Sequence, residues 1–90
     1  MTTKDAATLA HQVAVRDAKK AKEEAFDATL VAKGALARAH ADFEEAPTPE
    51  RFARLATHAA EYMDAVEWED KAQSHLSTTI ENARRAGAIS

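Results

Sequence analysis

Four histidines, His11, His40, His58 and His75, are spread along a chain that contains no cysteine. The chemistry such residues could perform on helices is metal binding. Carboxylate-histidine sites in helical bundles set a glutamate three residues before a histidine, so that both side chains leave one face of the helix. Here those positions hold Thr8, Ala37, Leu55 and Ala72, and none is a carboxylate. His58, Glu61 and Asp64 could share a face, but one imidazole and two surface carboxylates are an ordinary feature of a charged helix. For nucleophilic catalysis the candidate hydroxyls are Ser74, Ser77, Thr78 and Thr79. They fall in a helical stretch with no glycine-rich turn to supply oxyanion donors. Two glycines in the whole chain are too few for a phosphate-binding loop. The carboxylate groups Glu44 and Glu45, and Glu67, Glu69 and Asp70, have no sequence-visible pocket to tune them for proton transfer. The expectation is a non-enzymatic protein with no catalytic residue, no metal, no cofactor and no small-molecule substrate.

The elements that carry these residues are easier to read. Alanine fills 23 of 90 positions, against two glycines and two prolines, a bias toward helix. From Ala7 onward alanine recurs at 14, 18, 21, 25, 28, 32, 35 and 39, mostly at alternating steps of three and four. At about 100° per residue such spacing draws a narrow stripe along a helix, the mark of a helix laid against another. A first helix is expected over residues 4–46, capped by Thr2 or Thr3, with Asp5 in its first turn. Gly34 interrupts it at a cost of about 1 kcal/mol relative to alanine and could mark a bend or a close contact.

The break falls at Ala46-Pro47-Thr48-Pro49-Glu50. Pro47 disfavours a helical Ala46, Thr48 reads as the next N-cap, and Pro49 occupies the first helical position, which proline tolerates best. Pro47 is also placed to pack on Phe52 as a hydrophobic staple. A second helix is expected over 49–86, ending in Arg84, Arg85 and a left-handed Gly87. At about 1.5 Å per residue the helices are roughly 64 and 57 Å long, and a turn at 47–48 folds them antiparallel. The expected fold is all-α: one helical-hairpin domain over residues 1–90, with an alanine-rich, coiled-coil-like seam. Phe52, Leu55, Ala59, Tyr62, Val66, Gln73, Leu76, Ile80 and Ala83 form the stripe expected to meet the alanines. Paired positions should sum to roughly 95 or 96, which sets Lys19, Lys20 and Lys22 within a turn or so of Gln73, Asp70 and Glu69. The turn holds Pro-Thr-Pro and the tryptophan sits mid-helix, so the chain lacks the defining residues of the small secreted helical hairpins whose turn carries Trp-x-Gly.

Net charge is −3, with 12 basic and 15 acidic residues mixed along the chain. That balance disfavours nucleic-acid binding, which draws on a basic patch. The N-terminus has no apolar run behind its charge, no stretch is long enough to span a membrane, and the absence of cysteine gives no sign of an oxidising compartment. The expected home is the cytoplasm, or a particle assembled there.

Ninety residues make a small core, and two helices cannot hide all the apolar side chains. Leu9, Val13, Phe26, Leu30 and Val31 point away from the alanine stripe. Trp68, with Ala65 and Ala72 around it, points away from the Phe52–Ile80 stripe. Trp68, Ala65, Ala72, Leu9, Val13, Phe26 and Leu30 are therefore the candidates for a second interface, with Trp68 as its anchor. The expected partner is a second copy of the chain or a larger protein assembly. Two functions follow: a helical assembly or adaptor protein, such as a structural component of a bacterial or phage particle, or a small soluble regulator that masks one partner surface as an inhibitor or antitoxin does.

Overall fold

The computed structural model describes residues Thr3–Ile89. Two helices account for nearly all of them: α1, Thr3–Glu45, and α2, Pro49–Arg85, joined by a three-residue turn and packed as a helical hairpin. The described residues contain no strand. Thr2 lies outside them, as does the part it would play in capping.

The turn is built as its residues dictate. Thr48 Oγ1 accepts the Arg51 backbone N–H at 3.2 Å, and its carbonyl accepts the Phe52 N–H at 2.9 Å, which starts α2. The Arg51 guanidinium reaches back and donates to the Asp42 carbonyl at 2.7 Å. That carbonyl belongs to the last turn of α1 and also accepts the Ala46 backbone N–H at 3.2 Å, so the guanidinium adds a second bond to it. Phe52 is met by Phe43, with ring centroids 5.9 Å apart and planes inclined at 57°. Each aromatic ring has about 150–250 Å² to cover, so this pair joins the two helices beside the turn. The far end of α2 closes as a Schellman motif. Gly87 takes a φ of 72°, its N–H bonds the Arg84 carbonyl at 3.0 Å, and the Ala88 N–H bonds the Ala83 carbonyl at 2.9 Å.

The hairpin divides into two compact units, one of Met1–Glu24 with Asp70–Ser90, the other of Ala25–Glu69. In the first, Val15, Ala83 and Ala88 form a buried cluster with Ile80 and Ile89 against it. Gln12 donates to the Ala88 carbonyl at 3.2 Å and so holds the residues after α2 to α1. Ala18, Ala72 and Leu76 are also buried in this unit. In the second unit the centre of the seam on α1 runs through Ala25, Thr29, Ala32, Leu36, Ala39 and Phe43, with Ala28, Gly34 and Ala35 also half-covered. On α2 it runs through Leu55, His58, Tyr62, Ala65 and Glu69, with Arg51, Ala59 and Val66 also half-covered. The two central series step by three and four without a gap. Thr29 Oγ1 bridges the helices by donating to the Ala65 carbonyl at 3.2 Å. The Thr29–Ala65 and Phe43–Phe52 pairs sum to 94 and 95, the register expected from the turn.

Two details of the seam differ from the sequence expectation. In α1 the buried alanines Ala18, Ala25 and Ala39 and the half-buried Ala21, Ala28, Ala32 and Ala35 are joined by Val15, Leu36 and Phe43, while Ala7 and Ala14 are exposed. The alanines marked one edge of the stripe correctly, but larger side chains on its other edge bury more apolar area per position. In α2 Leu55, Ala59, Tyr62, Val66, Leu76, Ile80 and Ala83 are covered or half-covered as expected, and the seam departs from the expected stripe at its edge. Ala72 is buried at 8 % exposure and Ala65 half-buried, while Phe52 and Gln73 are exposed. Nor, among the described residues, does the lysine knot make the ion pairs with α2 that the expected register would allow. Lys19 and Lys20 are exposed, and among the described residues no ion pair joins them to Asp70. Exposed pairs of this kind contribute only about 0–1 kcal/mol, too little to hold long side chains in one geometry.

Candidate interaction surface

The seam buries alanines together with Val15 and Leu76, and it leaves several large side chains outside. No large side chain is fully buried among the described residues, whereas Leu9, Phe26, Leu30, Val31, Phe52, Met63 and Trp68 are each about half exposed or more.

Within the unit Ala25–Glu69 these side chains separate onto two sides of the hairpin. At about 100° per residue, Phe26, Lys33 and His40 lie on one flank of the α1 seam, with Leu30 and Ala37 further round in the same direction. On α2, Phe52, Ala59 and Val66 share a flank, with Ala56 and Met63 beyond it. A shallow groove of about 440 Å³ lies on this side between the α1 flank and Tyr62 of α2, lined by Lys33, Leu36, Ala37, His40 and Tyr62. The charged or titratable members of this side in the unit are Lys33, His40 and Glu44. The opposite side carries Ala28, Ala35, Val31 and Arg38 of α1 and Arg54, Glu61 and Trp68 of α2. There a smaller groove of about 240 Å³ is lined by Ala35, Arg38, Ala39, Asp42, Arg54 and His58. The first side, with Phe26, Leu30, Phe52 and Met63 around Lys33, His40 and Glu44, is the more apolar side; the second sets Val31 and Trp68 among Arg38, Asp42, Arg54 and Glu61.

The interface candidates therefore do not gather into one surface. Phe26 and Leu30 stand on the apolar side. Trp68, 46 % exposed, stands on the other, among Arg54 and Glu61 at seven-residue steps. Ala65 and Ala72 belong to the hairpin seam, so Ala72 is covered by α1 and is not available to a partner. In the other unit Leu9 is exposed and Val13 half-buried. Phe52 and Met63 join the apolar side although sequence reading assigned the first to the seam and passed over the second. The signal was present: the steps 29, 36 and 43 in α1 fix a seam that turns Phe52 outward.

The residues considered for chemistry take ordinary helical partners. His40 Nε2 lies 3.5 Å from a Glu44 carboxylate oxygen, and His58 Nδ1 lies 3.2 Å from Glu61. Thr79 Oγ1 donates to the His75 carbonyl at 2.7 Å, and Ser77 accepts from Gln73 at 3.3 Å. Among the described residues no group of three or more histidines and carboxylates is placed to hold a metal ion, and no helix is long and apolar enough to cross a membrane. Among known proteins, no family model matches the chain, and neither curated proteins nor solved structures give a match.

Proposed function

We propose that the chain is a non-enzymatic helical assembly protein that acts through protein–protein contacts, as a subunit or adaptor of a larger body such as a bacterial or phage particle. One observation carries this reading: Leu9, Phe26, Leu30, Val31, Phe52, Met63 and Trp68 remain about half exposed or more after the hairpin has buried Val15, Leu76 and its seam alanines. Burial stabilises by about 25 cal/mol per Å² of apolar surface, so covering these side chains with another chain is favourable. Contiguous apolar surface of this kind on a small protein marks a place where another protein binds.

Native-size separation of source-cell extract, with the chain quantified against its co-eluting proteins, tests the proposal. A subunit elutes in a large body at a fixed, high copy number. A regulator that masks one partner elutes in a discrete small complex, and the free chain elutes alone; either result counts against assembly.

A further inference from the structure

We infer that the apolar side of the unit Ala25–Glu69 is a self-association surface whose occupant is a second copy of this chain, related by a two-fold axis along the hairpin. The inference rests on the assembly reading and adds to it the face, the partner and the geometry. Three observations favour a second copy. The first is area. Phe26, Leu30, Phe52 and Met63 leave roughly 400 Å² uncovered, counting a whole aromatic side chain at about 150–250 Å², and the groove with its flanking alanines brings the face toward the roughly 800 Å² per partner of a stable interface. The second is self-complementarity. Projecting side chains and a groove of about 440 Å³ lie on one and the same side, and a two-fold interface requires a patch that fits itself. The third is charge. Lys33 is the one lysine or arginine on this side, so pairing buries no cluster of like charges, and a lipid surface, which draws on several basic residues around an apolar face, finds none here.

The register within one hairpin fixes what meets across the axis. Thr29 is level with Ala65 and Phe43 with Phe52, so Leu30 is level with Met63 to within one residue. A two-fold along the hairpin sets α1 of each copy against α2 of the other. Leu30 of one copy then meets Met63 of the second, and the same contact is made twice.

Sedimentation equilibrium of the whole chain, with helix content followed by circular dichroism, tests the face. The wild type is expected to associate at micromolar concentration. Leu30→Glu is expected to weaken association at least tenfold with helix content retained, and Val31→Glu, 71 % exposed on the other side, to leave it unchanged. A wild type that stays monomeric at about 100 micromolar overturns the second copy as occupant and leaves assembly with a different protein standing. Equal effects of the two variants overturn the face. The geometry has its own test, which serves also if Leu30→Glu does not fold. The chain has no cysteine, so a Leu30→Cys chain mixed with a Met63→Cys chain under mild oxidation should give the mixed disulfide dimer in preference to either homodimer. Failure of the mixed pair to predominate overturns the proposed axis.

Discussion

At the scale of single residues, the two glycines make opposite demands although both lie at or near helices. Gly34 sits inside α1, where an added Cβ would meet nothing closer than the Arg38 guanidinium at 4.0 Å. It supports neither a close contact nor any need for a missing side chain. Gly34→Ala should therefore raise stability by about 0.5–1 kcal/mol, through higher helix propensity and a less free unfolded chain. Gly87, at φ 72°, turns the chain so that Ala88 reaches the cluster with Val15 and Ala83. A side chain strains that left-handed conformation, and Gly87→Ala should cost about 1 kcal/mol. Urea unfolding of the two variants checks both signs, and a destabilised Gly34→Ala would mean that the position has a packing role its open surroundings do not reveal. Trp68 belongs to the same scale. It lies across the hairpin from Leu30, so Trp68→Ala should keep both helix content and self-association. A loss of self-association equal to that of Leu30→Glu would move the tryptophan into the pairing face.

At the scale of elements, the helix boundaries were legible because their signals are local. The Pro47-Thr48-Pro49 sequence ends one helix and caps the next, and Arg84, Arg85 and Gly87 close the second. The observed limits, Thr3–Glu45 and Pro49–Arg85, each fall within one residue of those expected. The facing of the helices was only half legible. Ala18, Ala25 and Ala39 mark the seam, but an alanine stripe can be read with its companions on either edge, and the edge is decided by which larger side chains find cover from the other helix. Thus Leu36 and Phe43 were passed over, and Phe52 was placed inward, where Phe43 in fact meets it near the turn. The assigned seam makes a sharp prediction. Ala25, at 0 % exposure, has no room for a larger residue, and Ala25→Leu should destabilise by about 1–3 kcal/mol through overpacking. Ala14→Leu, on the exposed edge, should lie within about 0.5 kcal/mol of the wild type. Equal costs in thermal or chemical unfolding would return the seam to the edge that carries Ala14.

At the scale of the whole molecule, the sequence foresaw a hairpin with apolar surface left over, and the structure shows which side chains make that surface. What periodicity could not separate was the two sides of the hairpin: residues pointing away from a seam may leave it in either direction, and the grooves beside Lys33 and beside Arg54 are what distinguish them. The central claim is that folding is completed by contacts between chains. It predicts linkage, because anything that binds the folded chain and not the unfolded one stabilises it in proportion to the logarithm of its concentration. Thermal unfolding of the wild type over a thousandfold range of concentration, from about 0.5 micromolar upward, is the most direct measurement. The account predicts a melting temperature that rises steadily across the range. A melting temperature independent of concentration, together with a monomer mass throughout, would contradict it.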